Sequence, residues 1–171
     1  MIKSSGRRQI SRKELLISVQ IALVALFAYW LGFRFTTLFP GYFSKIGGLW
    51  SSISAVIVVQ LSKKDTADSA WLRVIGTALG ATISALYLSL FPFHAVGMGA
   101  SIFVSSLICT SWNKNSWMRL SAITVLVVMV TTSLNPALNP VLNALLRFCE
   151  SCIGSAVAVF LISLWPKALA D

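Results

Sequence analysis

Six apolar runs, separated by short breaks rich in charge or turn residues, limit the possible folds of this chain more than any other feature. The runs cover residues 15–33, 46–61, 71–91, 95–111, 120–134 and 141–165. Membrane-spanning backbone must satisfy its own hydrogen bonds, and helices of about 20 apolar residues do so. With 57% hydrophobic and 11% charged residues in 171, the composition excludes an ordinary soluble domain. We therefore predict an all-α integral membrane protein with six transmembrane helices, a membrane domain of residues 15–171.

Basic residues are distributed unevenly over the two sides of this predicted topology. With a cytoplasmic N-terminus, three face outward, namely Arg34, Lys45 and Arg147. Eleven lie on the cytoplasmic side: Lys3, Arg7, Arg8, Arg12, Lys13, Lys63, Lys64, Arg73, Lys114, Arg119 and Lys167. The positive-inside rule then places both termini in the cytoplasm, behind a basic segment of residues 1–14, and we expect the plasma (inner) membrane of a bacterium. The net charge of +9 is thus explained by orientation rather than by nucleic-acid binding.

All six tryptophans fall at or near the ends of the runs, which predicts an interfacial aromatic belt. They are Trp30, Trp50, Trp71, Trp112, Trp117 and Trp165.

Sliding the chain by 74 positions aligns residues 73–92 with residues 147–166 without a gap. Arg, Gly, Ser, Leu and Pro coincide at 73/147, 80/154, 89/163, 90/164 and 92/166. The same offset brings residues 46–61 onto 120–135. Three runs per half would make the second half inverted relative to the first. We therefore predict two inverted three-helix repeats, about 15–92 and 93–166, with a pathway at their interface.

Small residues follow one face of the third predicted helix at Gly76, Gly80 and Ser84, and the offset relates them to Glu150, Gly154 and Ala158. Such spacing lets helix backbones approach closely. Gly76, Gly80 and Gly154 are therefore predicted helix-packing positions. Close packing alone explains them, or the third and sixth helices meet at the pseudo-symmetry axis and flank the route.

Three charged residues inside the runs are candidates for a substrate pathway. Arg147 and Glu150 are spaced i, i+3 and pair on one helical face. Ionisable groups within a span are costly and mark functional sites. As charge attractors at the two ends of a path, Arg147 and its repeat mate Arg73 suit an organic anion, with Glu150 as pairing partner or proton site. Alternatively, Arg147 lies at the outer headgroups and Arg73 is a cytoplasmic anchor.

The second and fifth runs are short and occupy corresponding places in the two halves, a pattern typical of binding sites in transporters. Trp50, Ser54 and Gln60 are therefore further candidates for the pathway, although hydrogen bonds between helices would also explain polar residues there. The cysteines and His94 form no metal-ligand or nucleophile pattern, and no phosphate loop is present. We expect no enzyme, no metal and no cofactor.

Residues 47–81 contain a Trp-led, Ser/Ala-rich span, a short polar loop and an R-x-x-G-T-x-x-G helix start. The matching residues are Trp50, Ser54, Ala55, Arg73, Gly76, Thr77 and Gly80. This segment resembles the fusaric acid resistance and aromatic acid exporter superfamily, the FUSC-like membrane domains. The last run resembles that family's closing helix, R-x-x-E-x-x-x-G followed by Pro. The resemblance implies efflux or conductance of organic anions such as aromatic carboxylates, and related plant malate channels use such a domain as a dimer.

Together these features predict a membrane permease or exporter of small organic anions. Its expected partners are the lipid bilayer and a second copy of the chain in a homodimer. The alternative is a non-transporting membrane subunit that assembles with a larger partner.

Overall fold

The computed structural model describes residues 11–135 and 138–165, which form six α-helices and no strand. They are α1 Arg12–Thr36, α2 Ser44–Val58, α3 Lys63–Leu90, α4 Ala95–Ser111, α5 Asn115–Leu134 and α6 Pro140–Leu164. Each predicted run corresponds to one helix. Most of the predicted N-terminal segment, as well as Pro166 and Lys167, lies outside the described residues.

The largest difference from the predicted boundaries is at α3, which begins at Lys63 rather than at residue 71. The charged break before it is the first part of the helix. Ser62 caps this end by accepting a hydrogen bond from the backbone N–H of Asp65 at 3.0 Å. The Asp65 carboxylate in the first turn also suits the positive end of the helix dipole. The charged segment therefore precedes the apolar run but already belongs to the helix.

Four helices, α1, α3, α5 and α6, are long and apolar enough to cross a membrane. The remaining two, α2 and α4, have 15 and 17 residues, fewer than the roughly 20 that a typical span needs. Large apolar side chains such as Leu26, Phe103 and Phe160 project outward from the bundle. Such a surface suits lipid better than water.

The centre of the bundle is formed by α3 and α6, which pack against each other. On one side α2 packs against α6 and α1, and on the other side α5 packs against α3 and α4. The helices α1 and α4 lie at the periphery. Buried apolar clusters fill both sides, one around Ala55 and Ala158 and the other around Val125 and Met129.

Interhelical contacts also give the relative directions of the helices. Trp50 contacts Arg147 and Ser54 contacts Ser151, so α2 and α6 run the same way. Gly76 lies against Leu120 and Gly80 against Thr124, so α3 and α5 share a direction as well.

The remaining helices run against these partners. Lys63 bonds the carbonyl of Ser163 while Thr77 contacts Ser151, which makes α3 and α6 antiparallel. Ser52 donates to the carbonyl of Ala25 while Gly47 lies against Thr36, so α1 opposes α2. Because α4 connects the end of α3 to the start of α5, and these two helices share a direction, α4 runs antiparallel to both. The chain direction therefore alternates through all six helices.

Glycines bring the outer helices close to the central pair. A Cβ atom at Gly154 would overlap the carbonyl oxygen of Ser51, and one at Gly80 would overlap that of Ser121. The glycines thus pack α6 on α2 and α3 on α5, not α3 on α6. The sequence separation between Ser51 and Ser121 is four residues, about one helical turn, smaller than the predicted offset of 74. That offset holds at the α3–α6 contact itself, where Thr77 and Ser151 are repeat mates.

Candidate functional site

Buried polar side chains from four helices meet around the crossing of α3 and α6. We call this group the polar cluster. It consists of Thr36, Trp50, Ser54, Arg73, Thr77, Arg147, Glu150 and Ser151. Arg73 and Glu150 each lie about 15 Å along the helix from its first residue, so the cluster is deep within the bundle.

Arg147 and Glu150 form an ion pair in the interior. Arg147 Nη1 lies 2.9 Å from Glu150 Oε2, as the i, i+3 spacing predicts. Thr36, the last residue of α1, donates a hydrogen bond of 2.7 Å to the other carboxylate oxygen. The side chain of Arg147 is only 2% exposed, so its alternative position at the outer headgroups is wrong. Packing of α2 against α6 covers this side chain.

Arg73 is completely buried, and its alternative role as a cytoplasmic anchor is therefore wrong. Its Nη2 and Nε atoms lie 3.1 and 3.3 Å from the hydroxyl oxygen of Ser54. The guanidinium carbon is 4.9 Å from the centre of the Trp50 ring, a cation–π distance. Arg73 also does not lie at the end of a path opposite Arg147, because both arginines contact Trp50.

Trp50 connects the two arginines. Its Nε1 donates a hydrogen bond of 2.8 Å to the backbone carbonyl of Arg147, and its ring faces Arg73. With 3% exposure in the middle of α2, Trp50 does not belong to an interfacial belt, so that part of the prediction is wrong. Trp30, Trp71 and Trp112 are exposed, as a belt requires.

A chain of hydroxyl groups links the three helices α2, α3 and α6. Ser54 donates to Ser151 at 3.2 Å, and Ser151 lies 3.1 Å from the hydroxyl of Thr77. Sequence reasoning missed Ser151, although it is the repeat mate of Thr77 and the offset identifies it. It also missed Thr36, for which no sequence signal exists because the residue merely ends an apolar run.

Gln60 lies apart from the other predicted pathway residues. It is exposed in the connection between α2 and α3, because α2 ends at Val58. Its backbone N–H donates to the hydroxyl of Thr66 at 3.1 Å. The structure brings together Trp50, Ser54, Arg73, Arg147 and Glu150, but not Gln60.

The electrostatics of the polar cluster favour an anion. Of the residues that the structure describes, Arg73, Arg147 and Glu150 are the buried charged side chains, which leaves one uncompensated positive charge. Arg73 Nη1 and Arg147 Nε are buried without a hydrogen-bond partner in the described part of the chain. Buried polar groups normally have partners, so these N–H groups are suited to an anionic ligand. Residues 11–135 and 138–165 contain no group of three His, Cys, Asp or Glu that would hold a metal ion.

Comparison with known proteins identifies the family of this chain. No curated protein and no solved structure matches the chain. A family model described as fusaric acid resistance protein-like matches residues 22–161. The matched region extends from within α1 to within α6 and contains the whole polar cluster. The chain is therefore a multi-pass membrane protein that belongs to the fusaric acid resistance protein-like family.

Proposed function

We propose that the protein is a permease that exports organic anions, such as aromatic carboxylates, across the membrane. One observation carries this proposal: Arg73 is fully buried at the helix crossing, no carboxylate in the described residues pairs with it, and its Nη1 has no hydrogen-bond partner. A charge in that position is costly unless an ion offsets it. The family description, which refers to resistance against an organic acid, agrees with export.

The pathway that we propose requires all six helices to cross the bilayer. Their alternating directions support six crossings, although α2 and α4 are short. At its first turn α2 lies deep, because Gly47 is next to the Glu150 carboxylate. A short α2 therefore implies that the α1–α2 connection lies below the outward-facing surface of the bilayer.

The pathway that we propose also requires two inverted three-helix repeats. Thr77 and Ser151 are repeat mates in direct contact, which is expected for residues at a pseudo-twofold axis. Gly80 and Gly154 make similar contacts on either side, and their partners differ from the repeat offset by one helical turn. Inverted-repeat transporters bind substrates near the bilayer midplane, at the interface between the repeats. The position of the polar cluster at the contact between α3 and α6 supports such a site in this protein.

In this proposal Arg73 binds the substrate carboxylate. A guanidinium presents several donors in one plane and stays charged when it is buried. Trp50 holds it from one face and Ser54 from one edge, so the group is oriented before the anion arrives. No step of such transport forms or breaks a covalent bond, and the proposal includes no enzymatic activity.

Flux into vesicles tests this function. We expect purified full-length protein in liposomes to move labelled 4-hydroxybenzoate faster than protein-free vesicles do. Arg73→Gln should abolish most of this flux, whereas Arg119→Gln, which removes an exposed charge, should not. Silent vesicles, together with purification in a fixed complex with one larger membrane protein, would favour the non-transporting subunit instead.

Orientation and assembly stay predictions. Cytoplasmic termini in a bacterial inner membrane are supported by the distribution of basic residues, and labelling of introduced cysteines from either side tests them. The homodimer is tested by the mass of the protein in detergent.

A further inference from the structure

The two arginines of the polar cluster differ in their ionic partners. Arg147 has the Glu150 carboxylate at 2.9 Å. In residues 11–135 and 138–165, the partners of the Arg73 guanidinium are the neutral hydroxyl of Ser54 and the ring of Trp50. The polar cluster therefore contains one arginine whose charge is neutralised by a carboxylate and one arginine whose charge is not.

This difference follows from one substitution between the two halves. The offset of 74 that relates Arg73 to Arg147 also relates Gly76 to Glu150. A Cβ at Gly76 would lie 2.6 Å from the Cβ of Leu120, so an apolar side chain occupies that place in the first half. At this position the second half thus has a carboxylate, whereas the first half has a glycine.

We infer that this arrangement selects anions by their valence, with Glu150 as the residue that determines specificity. The inference rests on the proposed transport function. A substrate with one carboxylate makes the cluster electrically neutral. A second carboxylate would add an uncompensated negative charge to a low-dielectric site that already contains Glu150, and like charges there repel strongly. The transported substrates are therefore monocarboxylates, and dicarboxylates are disfavoured.

Two aromatic probes of similar shape test the inference. They are 4-hydroxybenzoate, a monoanion, and terephthalate, a dianion, supplied at about pH 7.5, where carboxyl groups are ionised. The full-length protein is reconstituted in liposomes, and flux in protein-free vesicles is subtracted. We expect the wild-type protein to prefer 4-hydroxybenzoate. Glu150→Gln raises the charge of the cluster by one, so the ratio of terephthalate flux to 4-hydroxybenzoate flux should rise about tenfold or more.

A surface variant provides the matched control. Asp68→Asn makes the same change of charge at an exposed position in the first part of α3. Its flux ratio should equal that of the wild type. An equal shift in both variants would show that the overall charge of the protein, not the cluster, selects the anion, and would overturn the inference.

A double variant separates charge from shape. Arg147→Gln combined with Glu150→Gln restores the original charge of the cluster while leaving both side chains altered. We expect the preference for 4-hydroxybenzoate to return. Replacing both partners of a buried ion pair is often tolerated, so this variant carries the test even if Glu150→Gln alone does not accumulate. Its flux ratio is then compared with that of the wild type directly.

The outcomes distinguish the two proposals. A wild-type preference for terephthalate, an unchanged ratio in an active Glu150→Gln protein, or a double variant that prefers terephthalate would overturn selection by valence while transport itself stands. Wild-type vesicles that move neither probe would instead overturn the proposed function, and the inference with it.

Discussion

The α2–α6 and α3–α5 interfaces are built on the same backbone contact and differ in chemistry. In each, a glycine of the central helix lies against a serine carbonyl of the outer helix, Gly154 against Ser51 and Gly80 against Ser121. Next to this contact the first interface contains Glu150 and Trp50. The helices are thus held together in the same way on both sides, but the buried charged groups of the described residues lie on one side.

Hydroxyl groups also behave differently at the two interfaces. Thr124 of α5 donates to the backbone of its own helix at 2.9 Å, as expected for a hydroxyl in a helix without an external partner. Thr36 of α1 instead donates across the bundle to Glu150. The comparison teaches that close packing alone does not require a polar interior here. The buried ion pair at α2–α6 is therefore not a requirement of the close packing.

The largest effect that we expect on stability comes from breaking the ion pair on one side only. Arg147→Gln leaves the Glu150 carboxylate buried without its cation, which should cost about 3–5 kcal/mol. Arg73→Gln should destabilise the protein much less, because no carboxylate in the described part of the chain pairs with Arg73 and would be left uncompensated. Thermal unfolding in detergent measures both. Equal losses would show that the two arginines are structurally equivalent, contrary to the comparison.

Glycine substitutions test whether the two interfaces share one packing contact. Gly154→Leu and Gly80→Leu should each destabilise the protein by about 1–3 kcal/mol or more, because the new side chain collides with backbone that has no room to move. Gly99→Leu is the control, since a Cβ there meets nothing within 4 Å.

The yield of monodisperse protein and its unfolding temperature report the result of these substitutions. If Gly80→Leu behaved like Gly99→Leu while Gly154→Leu did not, the two interfaces would not be equivalent in packing.

A pair of threonine variants compares the hydroxyls directly. Thr36→Val removes a hydrogen bond to a charged group, worth about 1.5–3 kcal/mol, and should lower the unfolding temperature. Thr124→Val removes only a bond within one helix and should have little effect. Both substitutions preserve the shape of the side chain. A larger loss for Thr124→Val would contradict the assignment of the polar contact to the α2–α6 side.

Sequence reasoning found the six helices because each apolar run is bounded by charge or turn residues. It failed at the start of α3, where the charged residues suit both a loop and a helix N-terminus. It also left Arg73 and Arg147 undecided, because the 20 residues from each arginine to the following proline are enough to span the bilayer with the arginine at the headgroups. Their burial depends on α3 and α6 being the central pair, which is a property of the packing and not of either segment.

The smallest effect that we expect concerns Trp50, the residue whose predicted position in an aromatic belt was wrong. Trp50→Phe keeps an aromatic face for Arg73 but removes the donor to the Arg147 carbonyl, which should cost about 1 kcal/mol. Trp71→Phe, at an exposed position, should change nothing measurable. If both variants unfolded at the wild-type temperature, the contact between Trp50 and Arg147 would contribute nothing, and the polar cluster would be held by its charges and hydroxyls alone.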